Sequence, residues 1–143
     1  MRNIFFLIII LFVGSTAYGQ KAANYSFGKL GTPEYEHFSF WEKGGKDGIT
    51  YSFGKNDNEV KLRYLGKDYG EGKHCFKVQF PNNFILYIIP DKFNLRIQDP
   101  TKHYRKMFSW EYEGPVNGIG TFCDVCAEDE KEALKIIEKF YLK

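Results

Sequence analysis

The most constraining feature of this chain is an alternation. From His37 onward, apolar and polar residues trade places position by position in one short segment after another. Phe38 and Phe40 share one face, and Ile49, Tyr51 and Phe53 share another, with Thr50 and Ser52 opposite. The pattern returns at Val60, Leu62 and Tyr64, at Phe76, Val78 and Phe80, at Phe93, Leu95 and Ile97, and at Phe108, Trp110 and Tyr112. Side chains two apart point the same way only in an extended chain, so each segment reads as a strand with one buried and one wet face. Such strands belong to antiparallel sheets. Residues 84–89 are apolar on both faces, which predicts a central strand or one covered by a helix. Aromatic residues make up 18% of the chain, and they favour strands over helices.

Turn chemistry separates the segments. Lys55-Asn56-Asp57-Asn58 and Pro81-Asn82-Asn83 suit tight hairpins, and Asn117-Gly118 predicts a hairpin that returns a short strand over 119–122. Residues 65–73, with Gly66, Gly70 and Gly72, read as the longest irregular loop after the start. The end of the chain changes period. Ala133, Leu134, Ile137, Phe140 and Tyr141 form one stripe at spacings of three and four, with acidic residues early and lysines late. This predicts a helix over 125–142, with Asp124 as its N-cap. The expected fold class is mainly β (α+β): a single antiparallel meander of seven or eight strands, forming a roll or barrel, with one amphipathic C-terminal helix packed on it.

The beginning is read separately. Met1-Arg2-Asn3 is followed by ten apolar residues, Ile4 to Val13, and small residues stand at Ala17 and Gly19. This is the pattern of a secretory signal peptide over 1–19, too short to cross a bilayer, which takes roughly 20 residues. Residues 20–36 read as a polar lead-in containing the sequon Asn24-Tyr25-Ser26, and 37–143 as a single β-rich domain. The expected location is therefore periplasmic or extracellular. The net charge is +2, of which Arg2 in the leader supplies one. So even a balance argues against a nucleic-acid partner, and no later stretch is apolar enough for a transmembrane segment.

Three cysteines in an exported chain imply one disulfide and one thiol left over. Cys123 and Cys126 either close a local ring, or one of them reaches Cys75 and clips the helix to the sheet. Read at a helix N-terminus, Cys123-x-x-Cys126 also carries a redox alternative, with Cys123 as nucleophile. Four nearby carboxylates, Asp124, Glu128, Asp129 and Glu130, would oppose a thiolate there. A zinc site would need two further ligands from Cys75, His37, His74 or His103. No second pair of matched spacing exists, so neither a metal nor a cofactor is expected. Gly-Lys occurs at 28–29, 45–46, 54–55, 66–67 and 72–73. Amide-rich turns beside a lysine can hold an anion, which makes Lys67, Lys73 and His74 the candidate anion or ligand loop. The register fails for a Walker loop, because Lys67 stands where a glycine is needed and His74 where a hydroxyl is needed.

Glu111 and Glu113 share a strand face but read as solvated side chains, and no catalytic constellation is spaced through the chain. The expectation is an exported, non-enzymatic binding or interaction module for a protein, a glycan or a small apolar ligand. The alternatives are a thiol–disulfide oxidoreductase or redox sensor using the Cys pair, and an inhibitor or immunity-type protein acting on another exported protein.

Overall fold

The computed structural model describes residues 21–99, 101, 104–111 and 125–143. Its strands are β1 (Lys21–Phe27), β2 (Glu36–Lys43), β3 (Lys46–Phe53), β4 (Asn58–Gly70), β5 (Lys73–Gln79), β6 (Ile85–Asp91), β7 (Asn94–Gln98), β8 (Arg105–Glu111) and the short β9 (Val125–Cys126), followed by helix α1 (Glu130–Tyr141). Each of β2 to β8 pairs antiparallel with the next. β1 pairs with both β8 and β2, so eight strands close a barrel. β9 lies parallel to the start of β1, at Lys21 and Ala22, while the β1–β8 pairs run over Asn24, Tyr25 and Ser26. Of the two predicted closures, the barrel is the one that forms.

Closure depends on a segment the alternation had not marked. Residues 21–27 are no polar lead-in: they are the closing strand, with Ala23 and Tyr25 in the barrel and Ala22 and Asn24 buried on its outer side. Without β1, β2 and β8 would both be open edges, each a row of unpaired amides and carbonyls. Because Asn24 is buried, the sequon is inaccessible in the folded chain.

Two more expectations change. Residues 65–70 are not a loop but the continuation of β4, which runs for 13 residues. A bulge between Tyr64 and Gly66 re-aims the strand, and Gly66 takes φ +112°, a conformation open to glycine. The turn itself is reduced to Glu71 and Gly72, both at positive φ, as a two-residue hairpin requires. The helix starts later than 125. Asp129, not Asp124, is its N-cap, accepting a hydrogen bond from the Glu132 amide at 2.8 Å, while Glu132 reaches back to the Glu128 amide at 2.7 Å. The expected hairpin at Asn117-Gly118 and strand at 119–122 lie outside the described residues.

The barrel interior is a core and not a calyx. Tyr25, Phe38, Phe40, Phe76, Val78, Ile88, Leu95, Ile97 and Phe108 fill it, all fully buried. α1 plugs the end where β1 begins, burying Ala133, Ile137 and Tyr141, one residue per helical turn. Tyr141 goes deepest: its ring stacks on Phe76 at 5.3 Å and meets Tyr64 and Phe40 at 5.2 and 5.7 Å. The Tyr64 hydroxyl donates to the Tyr141 carbonyl at 2.7 Å, satisfying one of the orphan carbonyls of the helix end. At the opposite end, Glu36 accepts from the Tyr104 hydroxyl and from Lys106, each at 2.7 Å. The Lys106 ammonium lies over the rings of Phe27 and Tyr104, at 4.7 and 4.9 Å.

Candidate functional site

The extended β4–β5 hairpin runs past the helix-capped end of the barrel and leaves a hollow on each side. On the helix side is an open groove of about 780 Å³, lined by Lys73, His74 and Pro90 and by Lys135, Lys139 and Lys143. Glu138 and Leu142 complete the helical wall. On the other side a smaller cavity of about 250 Å³ separates the hairpin from the outer face of β6 and β7, with Cys75 in its lining.

The helical pattern itself makes the groove cationic. Ala133, Ile137 and Tyr141 point into the barrel, which leaves the i, i+4 series Lys131, Lys135, Lys139 and Lys143 exposed along another face. None of these four makes an ion pair with a described residue; Lys139 only lies over the Phe140 ring, at 4.7 Å. Five cations on the sheet are paired. Lys73 pairs with Asp91, Lys77 with Asp68, Arg96 with Asp91 and Glu71, Arg105 with Glu71, and Lys106 with Glu36. Lys73, hydrogen-bonded to Asp91, holds that carboxyl below its ordinary value, with smaller help from Arg96. Asp68 is also lowered, first by the Tyr69 amide it accepts from at 2.8 Å and then by Lys77. The helical wall of the groove therefore presents Lys135, Lys139 and Lys143, none ion-paired with a described residue, beside Glu138.

Of the three residues expected to form an anion loop, the structure brings Lys73 and His74 to the groove. Lys67 stands opposite Phe76 in the ladder and does not line it. His74 sits edge-on to Tyr69, with ring centroids 5.2 Å apart. The helical lysines were visible in the sequence as a stripe of step four. What the sequence hid was their opposition to Lys73 and His74, because that depends on where the hairpin ends.

Cys75 is a free, buried thiol, so of the two pairings left open the one that clips it to the end of the chain does not form. Burial pushes its thiol up, with the Asp68 carboxylate adding and Lys77 partly offsetting. Cys126 lies in β9, paired with Ala22, and Asp129 caps the helix three residues later. Cys126 is therefore not at the helix N-terminus, where the pair had been expected. Cys123 lies outside the described residues, and with it the local ring; so do His103 and Glu113. Glu111 stands opposite Asn24, with one carboxylate oxygen shielded from solvent and unpaired among the described residues. Among the described residues no group of three His, Cys, Asp or Glu is placed to hold a metal ion, and no helix is long and apolar enough to cross a membrane.

Compared with known proteins, the chain matches no family model, no curated protein and no solved structure.

Proposed function

We propose that this chain is an exported, non-enzymatic binding module whose groove between α1 and the β4–β5 hairpin takes an anionic ligand, a phosphate or an acidic sugar. Export rests on the apolar stretch 4–13 and the small residues before Gln20. The observation that carries the ligand class is the set of lysines without an ion pair among the described residues, Lys135, Lys139 and Lys143, lining one hollow with Lys73 and His74. Lysine is a compact, flexible point charge, suited to anions without demanding one geometry. Each exposed contact is worth only about 0.2–1 kcal/mol and is screened by salt, so affinity comes from several acting together. Glu138 in the same wall disfavours a ligand lying directly against it and biases the anion toward the Lys139–Lys143 end of the groove.

Calorimetric titration with inorganic pyrophosphate at low and high salt tests this reading. Wild type is expected to bind at low salt and lose most of that affinity at high salt. The pair Lys135→Gln and Lys139→Gln together should weaken binding about tenfold, the equivalent of about 1.4 kcal/mol. Equal binding by wild type and variant, or binding indifferent to salt, would overturn the assignment.

A further inference from the structure

The hollow on the other side of the hairpin has a different chemistry. Beyond the bulge at Gly66 the hairpin folds back over the outer face of β6 and β7. It is held there by Glu71, which accepts from Arg96 at 2.6 Å and from Arg105 at 3.3 Å. Between hairpin and sheet lies the cavity of about 250 Å³. Cys75 and Ile89 form its floor and are almost fully buried, although both lie on the outer side of the barrel wall. Ile89 accounts for the outward apolar end of residues 84–89, read as a central strand or one covered by a helix: the strand is paired on both sides, and it is the hairpin that covers Ile89.

Three carboxylates border the cavity, and each is already matched. Asp68 pairs with Lys77 at 3.3 Å, Glu71 with the two arginines, and Asp99 accepts from the Thr101 hydroxyl at 2.8 Å. No surplus charge calls for an ion. Gln98 is in another position. It lines the cavity, is 5% exposed, and its side-chain amide makes no hydrogen bond among the described residues. The amide is not among the buried side-chain polar atoms left without a partner, so it opens onto the water-accessible space of the cavity and is free to exchange water for a ligand group. An amide both donates and accepts, and the neighbouring carboxylates retain lone pairs that accept. Tyr87 and Ile89 add apolar carbon to the same lining. At about 30 Å³ per water the space holds about eight waters, less than the roughly 300 Å³ at which drug-sized sites begin. That is room for one ring and not for a chain.

We infer that this cavity binds a small, neutral, polyhydroxylated molecule of the size of a single sugar, with Gln98 as its central hydrogen-bonding group. Hydroxyls of the ligand accept from and donate to the Gln98 amide and donate to Asp99, while its C–H face lies against Tyr87 and Ile89. The site is independent of the lysine groove and stands whether or not the groove binds anions.

The test is a titration of the 15N-labelled protein with glucose, galactose and mannose, each alone, read by NMR at the Gln98 side-chain amide. Saturable shifts of that amide are expected for at least one sugar. They should be lost in Gln98→Leu and unchanged in Lys139→Gln, which alters only the groove. If Gln98→Leu does not fold, Tyr87→Ala, on the half-buried wall, decides: affinity should fall at least tenfold. Absence of saturable shifts with all three sugars overturns the inference, as does binding that survives in Gln98→Leu or, where that variant fails, in Tyr87→Ala.

Discussion

At the scale of the residue, the tyrosines are the most informative. Tyr25, Tyr51, Tyr104 and Tyr141 all have phenols raised above the ordinary value of 10.0, in each case first by burial. A nearby carboxylate adds to the effect: Glu130 for Tyr25, Glu36 for Tyr51 and Tyr104, and Asp47 for Tyr141. The sign follows directly. In the unfolded chain these phenols ionise as pH passes 10, while in the folded barrel they stay protonated, so the unfolded state gains from every further rise in pH. Stability should be unaffected by them below that point and fall above it, by up to about 1.4 kcal/mol per pH unit for each phenol. After a jump to strongly alkaline pH, phenolate absorbance is expected in two phases, with these four ionising only as the barrel opens and the far-ultraviolet strand signal collapses. Complete ionisation within the mixing time, with the strand signal intact, would contradict the burial described.

At the scale of the element, the helix shows how a short stretch can be readable in type and misread in its bounds. Its apolar stripe is plain in the sequence, but its start is not, because two aspartates compete. Asp124 follows Cys123, whereas Asp129 has Glu132 three residues on, the spacing of a capping box. The structure selects Asp129, since β9 occupies Val125–Cys126 and holds the chain extended up to Ala127, whose amide donates to the Ala22 carbonyl at 2.9 Å. Asp129→Ala should therefore destabilise the protein by about 1 kcal/mol, and Asp124→Ala should have no effect through the helix; chemical denaturation of both variants compares them. Similar reasons govern the strands. β2, β3, β5 and β8 announce themselves through large alternating side chains. β1 does not, because its inward positions include Ala23, a weak strand former whose place is set by Phe40 opposite it. The far half of β4 was hidden by its glycines, which read as a loop and act as a bulge and a turn. Lys73 and His74 were legible as a cationic turn. The groove was not, because its other wall lies more than sixty residues away and only the tertiary fold brings the two together.

At the scale of the whole molecule, closing the barrel decides where ligands can go. Its interior is spent on aromatic packing, and helix α1 stops one end, so both hollows described lie outside the wall on either side of a single hairpin. The hairpin is fixed on one side by the Glu71–Arg96–Asp91–Lys73 chain of ion pairs. On the other it faces a helix anchored through Tyr141. If that anchor were not seated, Lys135, Lys139 and Lys143 would have no defined relation to Lys73 and His74. The most direct measurement is the set of through-space NMR contacts of the Tyr141 ring. Cross-peaks to the rings of Phe40, Phe76 and Tyr64 are expected, with Tyr141 resonances displaced by the stacked Phe76 ring. A Tyr141 ring with unperturbed shifts and no contact to those three would contradict the plugged barrel and the groove that depends on it.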